Sequence, residues 1–385
     1  MSSRHIVMLS SLQQQSSNRV TDEVDAGLTR LVQKLRAKRG LHHISLAVSS
    51  ADGQRHWAGA SGPAGTTEPQ VHPEAPFFIA SITKRFIITL VLQAHERGEL
   101  DLDAPIATYL PASVTTGLHV RRGVDRTPQI TVRHLASHTS GLPDFLERRR
   151  GAPSIYRQIR AGHDMSWTFD DVLDITRNQQ RPHFDPQDLS TATQRARYSD
   201  TGYQLLLRIL ESVTSSTFPD LLADRITGPL GLTGTWHPAA QPADPALPAP
   251  LPLHIRRRRV EVDKVIASAD DLFSTTRDLL AFERALVTGE PFTDPNTRHL
   301  LTERRNRLSN APVLRYGLGT MFFTVNRLMS PLPKPVTLVG HSGSTGTWLF
   351  TCPELDLHLA GTADQTEARS LPFRIMAACL RIWAG

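Results

Sequence analysis

The sequence predicts an α+β fold in which one antiparallel sheet, with terminal helices packed on it, carries an inserted and mostly helical lobe. Short β-rich segments occur near both ends of the chain, within residues 42–61 and 316–363. The residues between them are dominated by helical periodicity and loops. Early and late strands can share one sheet only if the middle of the chain forms a separate layer or lobe.

We expect a single domain, residues 19–385, preceded by a flexible segment, residues 1–18, that is rich in serine and glutamine. The α/β lobe of this domain would combine about residues 19–80 and 265–385, and the helical lobe would take about residues 81–264. A cleft between two such lobes is the natural place for a small ligand.

The first predicted helix repeats apolar residues at helical spacing and can end at Gly40; its apolar residues are Val24, Leu28, Leu31, Val32 and Leu35. Residues 42–50 and 54–61 flank the turn sequence "ADG" and predict a β-hairpin. The last segment, from Thr366 to Trp383, predicts a helix.

The middle of the chain predicts several helices, in the segments "TVRHLASH", "FDDVLDITRN", "TGYQLLLRILESVT" and "FPDLLADRI". The proline-rich residues 237–254 predict an extended surface loop. Residues 268–289 predict one capped helix that Gly289 terminates.

Charge and composition do not indicate a nucleic-acid partner. The chain has 43 basic and 37 acidic side chains, a net charge of +6. Its two basic runs, residues 148–150 and 256–259, are short and have no interleaved aromatic residues. They indicate solvated loops, with a patch for an anionic partner as the alternative.

The N-terminal apolar run covers only residues 6–9, which is shorter than a signal peptide requires, and no segment reaches transmembrane length. We therefore expect a cytoplasmic protein with no membrane partner. Two cysteines, Cys352 and Cys379, are too few for a disulfide framework. Free thiols are the simpler expectation, and a single bridge is the alternative.

Ser81 and Lys84 form the only Ser-x-x-Lys pair in the sequence, at the predicted start of an apolar helix. Positions i and i+3 share a helix face, so the two side chains come within reach of each other. A serine hydroxyl needs a neighbouring base to act as a nucleophile. The helix N-terminus adds free N–H groups and a partial positive field, which suit an oxyanion.

Lys84 lies among apolar residues, and we expect burial to lower its pKa so that it can accept or relay the serine proton. On its own, Ser-x-x-Lys is a weak signal, because a capping serine and a solvated lysine produce the same pattern. The pair needs other motifs to support a catalytic role.

Three further segments supply that support: "LASHTSGLPD" at residues 135–144, "YSDTGY" at 198–203 and "HSGSTGTW" at 341–348. Ser-x-x-Lys, Tyr-x-Asn/Asp and His/Lys-Ser/Thr-Gly in this order are typical of the serine penicillin-recognising enzymes. Over about residues 24–383 the sequence resembles the branch with class C β-lactamases, a D-alanyl-D-alanine carboxypeptidase and β-lactamase-like esterases and transesterases. The resemblance implies a β-lactamase/transpeptidase-like fold.

By this resemblance, Ser81 is the nucleophile, Lys84 shuttles protons and Tyr198 acts as general base and then general acid. A lysine cation would have to favour the phenolate for Tyr198 to act as a base, and the two groups titrate as a coupled pair. His341, Ser342 and Gly343 would line an edge strand beside the nucleophile. The backbone N–H groups of Ser344 and Ser81 would form the oxyanion hole.

Two residues depart from the family pattern. His341 stands where β-lactamases have lysine, and neutral histidine holds a substrate carboxylate less firmly. This favours esters or peptides over penicillins. Asp200 stands where asparagine is usual, so the amide donor is lost. The Asp200 carboxylate could instead pair with Lys84 and raise the pKa of that lysine.

Two other hydrolase types fit the sequence poorly. The segment "HLASH" spaces His134 and His138 as zinc ligands, but the catalytic glutamate of the zinc motif is replaced by Leu135. The segment "GHSGS" has Ser344 where an α/β-hydrolase elbow requires glycine, and only Asp356 and His358 follow as a close pair. We expect no metal and no cofactor, and His138 to be structural.

The sequence therefore predicts a serine hydrolase with an acyl-serine intermediate, acting as an esterase or acyl transferase on a small ester or amide. A β-lactamase or a D-alanyl-D-alanine carboxypeptidase or D-aminopeptidase is the alternative. A non-catalytic binding module of the same fold is a more distant one. The expected partner is a small ester, amide or short peptide, and the acyl group and oligomeric state are not specified by the sequence.

Overall fold

The computed structural model describes residues 22–38, 40–62, 71–330, 332–366 and 370–385, and the predicted flexible segment lies outside them. The strands are β1 (Ile44–Ser50), β2 (His56–Ser61), β3 (Phe77–Phe78), β4 (Val120–Arg121), β5 (Val124–Asp125), β6 (Leu253–Ile255), β7 (Arg258–Val260), β8 (Phe273–Ser274), β9 (Asn306–Arg307), β10 (Arg315–Tyr316), β11 (Met321–Val325), β12 (Val336–Ser342), β13 (Thr347–Cys352) and β14 (Leu357–Thr362). The α-helices are α1 (residues 22–36), α2 (Thr83–Glu96), α3 (Ala112–Thr115), α4 (Val132–Ala136), α5 (Ile155–Ala161), α6 (Phe169–Asp174), α7 (Asp200–Thr214), α8 (Phe218–Leu222), α9 (Asp263–Ala269), α10 (Thr276–Thr288) and α11 (Leu371–Ala384).

The central element is an eight-stranded antiparallel sheet in the order β2-β1-β14-β13-β12-β11-β10-β9. The hairpin β1–β2 joins the late strands through β14, where Ser45 lies opposite Thr362. The prediction of an α+β fold in which early and late strands share one sheet is therefore confirmed. The division of the chain into two lobes near residues 81 and 264 stays a prediction.

Helices cover both faces of this sheet, so β13 and β14 are buried throughout. Along β13, Trp348 and Phe350 pack with the terminal helices α1 and α11, through residues such as Leu28 and Met376. The intervening Leu349 packs on the opposite face, against the core that contains α2, α7 and α10. Side chains alternate between the faces of a strand, and here both faces are apolar.

Helix α2 runs through the middle of this second core and is buried from Thr83 to Ala94. An all-round buried helix is normally apolar, so its two consecutive basic side chains need partners. Arg85 has them: its guanidinium donates to both carboxylate oxygens of Glu283 at 2.9 Å and to the Thr320 hydroxyl at 2.7 Å. The partners of Lys84 belong to the site described below.

Residues 268–289 do not form the single helix that the sequence predicts. Asp270 adopts a left-handed conformation that ends α9, and β8 pairs with β3 before the next helix begins. Helix α10 starts after Thr275, whose hydroxyl accepts a hydrogen bond from the Asp278 N–H, and Gly289 ends it at φ +87°. Local capping and a short tertiary strand pairing override the helical periodicity here.

The other element predictions need smaller corrections. The last helix begins at Leu371, with Pro372 in its first turn, rather than at Thr366. The proline-rich residues 237–252 contain no helix or strand, but the last two residues of the predicted surface loop, Leu253 and His254, are buried in β6. Cys352 and Cys379 are buried free thiols. No helix within the described residues combines the length and the apolar character that crossing a bilayer requires.

Candidate active site

Ser81 lies in a 3-10 turn, Ala80–Ile82, that leads directly into α2. Ala80 immediately before it has φ +49°, a left-handed conformation that is uncommon for a residue with a side chain. Such strained positions persist only where the surrounding structure holds them. The hydroxyl of Ser81 therefore lies just before the N-terminus of α2 rather than inside the first turn of that helix.

The loop between β12 and β13 holds this strained segment from the other side. The hydroxyl of Thr345 donates to the carbonyl oxygen of Phe78 at 3.3 Å, and that of Thr347 donates to the carbonyl oxygen of Ile79 at 3.0 Å. The two motifs that bracket the candidate site are therefore hydrogen-bonded to each other.

Gly343 lies against the same segment too closely for any side chain. A Cβ atom there would fall 2.1 Å from Thr347 Oγ1 and 2.7 Å from the Ile79 carbonyl oxygen. We expect Gly343→Ala to push the loop away from Ser81 and to lower kcat/KM about a hundredfold, the usual cost of a misplacement of ~1 Å. Ester kinetics beside a thermal melt test this; an unchanged kcat/KM in a folded variant would contradict it.

Lys84 lies within reach of Ser81 and is paired with an acid. Its Nζ is 3.4 Å from Ser81 Oγ and 2.5 Å from Asp200 Oδ1. Burial pulls the pKa of Lys84 down, but the Asp200 and Asp271 carboxylates outweigh it, so the pKa lies above the usual lysine value. Our expectation that burial lowers this pKa is therefore wrong; Asp200, which we gave as the alternative influence, raises it together with Asp271, which the sequence did not reveal.

Tyr198 faces the same centre from the start of the 198–203 motif. Lys84 Nζ lies 5.4 Å from the centroid of its ring, and its hydroxyl is buried with no hydrogen-bond partner at good geometry among the described residues. Burial and the Asp200 charge raise the pKa of Tyr198 well above its usual value, although the Ser81 hydroxyl lowers it. Tyr198 is therefore a neutral phenol in the resting site, not the phenolate that the role of general base requires.

Asp200, one of the two residues that depart from the family pattern, pairs with Lys84 as the sequence suggested. It is the first residue of α7, and its second oxygen accepts a hydrogen bond from the Tyr156 hydroxyl at 3.2 Å. Only 12% of its side chain is exposed. The carboxylate is therefore fixed between a cation and a phenol, and it neutralises the buried ammonium.

Two further acids and Tyr156 belong to this centre and were missed as site residues. Burial raises the pKa of Asp144 well above its usual value, with Asp200 adding to the shift. Burial also raises the pKa of Asp271 to about 7, although Lys84 opposes it. Asp144 ends the motif "LASHTSGLPD" and could have been flagged, whereas Asp271 was hidden in a segment predicted as continuous helix.

Asp271 makes stability depend on pH in a defined direction. Because its pKa rises from 3.8 to about 7 on folding, the folded chain keeps a proton that the unfolded chain releases, and this contribution to stability falls as pH rises between those values. We expect Asp271→Asn to become progressively more stable than wild type from pH 4 to pH 7. Urea unfolding across that range measures it; a constant difference would contradict it.

His341 does not face the cavity. It is fully buried, with Nε2 3.0 Å from the Tyr316 hydroxyl and Nδ1 2.9 Å from the Ser342 carbonyl oxygen. Burial, followed by the Lys84 charge, lowers its pKa well below the usual histidine value. A neutral ring beneath Tyr198 supports the site rather than binding substrate.

Strand β12 is an interior strand, not the edge strand that we expected. It pairs with β11 and β13, but its register with β11 ends where Gly340 lies opposite Met321. The last two residues of β12, His341 and Ser342, thus extend past the end of β11. A local free edge exists beside the nucleophile even though the strand as a whole is central.

Ser81, Tyr198, Ser342, Gly343 and Ser344 line one open cavity of about 1240 Å³. The backbone N–H of Ser344 has no hydrogen-bond partner within the described chain, so it is free to bind an oxyanion. Much of the wall is apolar, from Leu308, Leu314, Met321, Phe323, Phe373 and Ala377. Exposed arginines border it: Arg148, Arg157, Arg160 and Arg374.

His134 and His138 hold the loop after α4. Both ring nitrogens of His134 are occupied, Nδ1 by Thr131 and Nε2 by the Gln187 carbonyl oxygen at 2.7 Å. His138 has φ +59°, accepts a hydrogen bond from the Ser199 N–H at 3.3 Å and lies against Tyr198. These contacts make both rings structural, and the ring of His138 supports the 198–203 motif.

The structure does not support the α/β-hydrolase interpretation, because no base among the described residues is hydrogen-bonded to its serine, Ser342. The hydroxyl of Ser342 contacts Met321 Sδ at 3.6 Å. His358 is buried in β14 with neither ring nitrogen hydrogen-bonded within the described residues, and burial lowers its pKa to about 4. Ser81 is the serine whose hydroxyl has a proton-transfer group beside it.

Comparison with known proteins agrees with this geometry. The family model described as Beta-lactamase matches residues 28–376. Penicillin-binding protein 4 of Amycolatopsis lactamdurans is 31% identical over 204 residues, 52% of this chain and 46% of that protein. Esterase EstB of Burkholderia gladioli is 27% identical over 172 residues, 45% of this chain and 41% of that protein. The matches thus span less than half the length of either relative.

A solved structure, the D-stereospecific amidohydrolase from Streptomyces sp., superposes with a TM-score of 0.70. The match covers 92% of this chain and 97% of that one at 22% sequence identity. At that identity the likeness establishes the fold alone, and the site chemistry has to be argued from the residues present here.

Proposed function

This chain belongs to the beta-lactamase family, and on that premise we propose that it is a serine hydrolase which forms an acyl-enzyme on Ser81. The favoured substrate is a small ester, with water or an alcohol as the final acceptor. The main support is the continuous contact from Ser81 Oγ to Lys84 Nζ at 3.4 Å and on to Asp200 at 2.5 Å. Tyr198 borders the same cavity.

The charge states of these groups define the proton path. A protonated Lys84 cannot take a proton from Ser81, so it must first pass one to Asp200, which is in direct contact. The neutral lysine then accepts the Ser81 proton while Oγ attacks the carbonyl carbon. Because Lys84 and Asp200 titrate as a coupled pair, we assign the role of base to the pair and not to either residue alone.

Tyr198 completes the cycle as an acid. Its raised pKa keeps it protonated at neutral pH, so it can donate a proton to the departing alkoxide as the acyl–oxygen bond breaks. The proton held by the Lys84–Asp200 pair then restores the phenol. Hydrolysis of the acyl-serine repeats the sequence with water as the nucleophile, and the Ser344 N–H binds the oxyanion in both halves.

The shape and the lining of the cavity favour an ester as the substrate. It is wide and open, much of its wall is apolar, and the His341 ring is turned away from it. No cation therefore stands at the third motif to hold the carboxylate of a β-lactam. Initial rates with nitrophenyl esters of increasing chain length, nitrocefin and D-amino-acid amides test this choice; a higher kcat/KM on an amide or on nitrocefin would overturn it.

The bordering arginines favour a second candidate, a peptide or amide with a carboxylate. Arg160 lines both the main cavity and a smaller one beside Ser81, and it forms no ion pair within the described residues. We expect Arg160→Ala to raise KM about tenfold for an anionic ester such as nitrophenyl succinate and to leave KM for nitrophenyl butyrate unchanged.

Arg97→Ala is the matched control for this variant, because Arg97 is also exposed but lies at the opposite end of α2 from Ser81. It should change neither KM. Equal effects of Arg160→Ala on both esters, or an effect of Arg97→Ala, would show that the arginine charge does not select the substrate.

A further inference from the structure

Three buried side chains from distant segments meet outside the catalytic cavity. His43 directly precedes β1, His254 lies in β6, and Asp364 follows β14. Their exposed fractions are 6%, 6% and 1%. Among the described residues, neither Ser81, Lys84, Tyr198 nor Asp200 forms a hydrogen bond or ion pair with these side chains, so the proposed hydrolase chemistry does not account for this cluster.

The cluster is built around the carboxylate. Asp364 Oδ2 accepts hydrogen bonds from His43 Nδ1 at 2.8 Å and from His254 Nδ1 at 2.5 Å. The other oxygen, Oδ1, is buried and has no hydrogen-bond partner within the described residues. An unpaired buried carboxylate oxygen is costly, which indicates that a further group binds there.

We propose that His43, His254 and Asp364 form a Zn²⁺ site with a fourth position for water. One ligand atom from each residue can be chosen so that all three lie within 4.8 Å of one another. Imidazole nitrogens and a carboxylate are the ligand types that zinc takes, at about 2.0–2.2 Å. Each neutral histidine would carry its proton on Nε2, leaving the Nδ1 lone pair for the metal.

The geometry needs a modest adjustment. In a tetrahedral site with such bond lengths, ligand atoms are about 3.3 Å apart, so the two short hydrogen bonds must open by roughly half an ångström or somewhat more. Rotation of the carboxylate would open these two hydrogen bonds and turn the unpartnered oxygen toward the metal, and the two histidine ligand atoms, which lie within 4.8 Å of each other, would have to take up the same spacing. His42, stacked on His254 with ring centroids 4.0 Å apart, restrains one ligand ring from outside.

A metal bound here would stabilise the loop between β12 and β13, which carries the proposed oxyanion donor, the Ser344 N–H. The residues flanking Asp364 bind that loop: the Gln365 N–H donates to the Thr345 carbonyl oxygen at 3.1 Å, and the Ala363 N–H donates to that of Gly346 at 3.0 Å. The metal would thus cross-link β1, β6 and the chain after β14 behind Ser344. Its binding does not depend on turnover, so it can be measured separately from the proposed function.

The experiment uses the full chain in the Ser81→Ala background, stripped with EDTA and then titrated with Co²⁺ or Zn²⁺. We expect one equivalent of Co²⁺ with visible absorption bands of a low-coordinate nitrogen–oxygen site, displacement of those bands by Zn²⁺, and a higher melting temperature with zinc. Metal analysis of the zinc-loaded protein should give one zinc per chain.

Two variants identify the ligands. His254→Gln and Asp364→Asn should each weaken Zn²⁺ binding at least tenfold, whereas His42→Gln, which changes a neighbour that is not a ligand, should retain it. The cobalt spectrum of the Ser81→Ala parent decides the question even if a ligand variant fails to fold. Absence of stoichiometric binding, or equal binding by the Ser81→Ala parent and a folded protein that also carries His254→Gln, would overturn the proposal.

Discussion

Ser81→Ala is expected to abolish ester turnover while leaving the fold intact, a loss of at least about a thousandfold in kcat. The hydroxyl is the atom that forms the acyl bond, and no neighbouring group can replace it. The side chain is small and half-buried, and Lys84 Nζ approaches its hydroxyl at only 3.4 Å, so the stability cost is small. Burst-phase kinetics with a nitrophenyl ester measure the effect.

Ser342→Ala is the informative comparison, since Ser342 lines the same cavity and is the central serine of "GHSGS". This variant should still give a burst, although its substrate affinity can change. If Ser81→Ala kept a tenth of the wild-type rate, the acyl-serine mechanism would be wrong. Loss of the burst in Ser342→Ala alone would move the nucleophile to the other motif.

Lys84→Ala should lower kcat by about two to four orders of magnitude, the usual weight of a general acid–base group. The loss has two sources. The serine proton loses its acceptor, and Asp200 is left as a largely buried charge without its cation. Circular dichroism and a melting curve separate the catalytic loss from unfolding. Retained activity in a folded Lys84→Ala would assign the base to another residue.

The variant Asp200→Asn tests whether the base is the Lys84–Asp200 pair or Lys84 alone. Without Asp200, burial remains the main influence on Lys84, so its pKa falls. We then expect activity that is low at neutral pH and recovers at alkaline pH, where the lysine is neutral and accepts the proton directly. Superimposable pH–rate profiles for wild type and variant would show that Asp200 takes no part in the proton path.

The sequence predicted which side chains converge around Ser81 but not the charges that surround them. The i, i+3 spacing and the order of the motifs bring Ser81, Lys84 and Tyr198 to one place. The pKa of Lys84 depends on Asp200 and Asp271, which reach it through tertiary packing. The motif pattern suggested the contact with Asp200 but not the one with Asp271, and burial alone gave the wrong direction for the shift in the Lys84 pKa.

The sequence did not predict the orientation of the His341 side chain either. His341 occupies a motif position, but alternation along β12 and the nearby Tyr316 turn its ring into the core. The sheet itself followed from strand patterns at both ends, because period-two alternation and turn residues are local. The break at Asp270 was not foreseen, since a single left-handed residue leaves the helical periodicity of its neighbours unchanged.

The central claim is that the acyl group is transferred to Ser81. Intact-mass and peptide mass spectrometry after treatment with a fluorophosphonate, or with an ester trapped by acid quench, tests it most directly. The account predicts a single adduct on the peptide that contains Ser81, absent from Ser81→Ala. An adduct on another residue, or ester turnover with no covalent species under either condition, would contradict it.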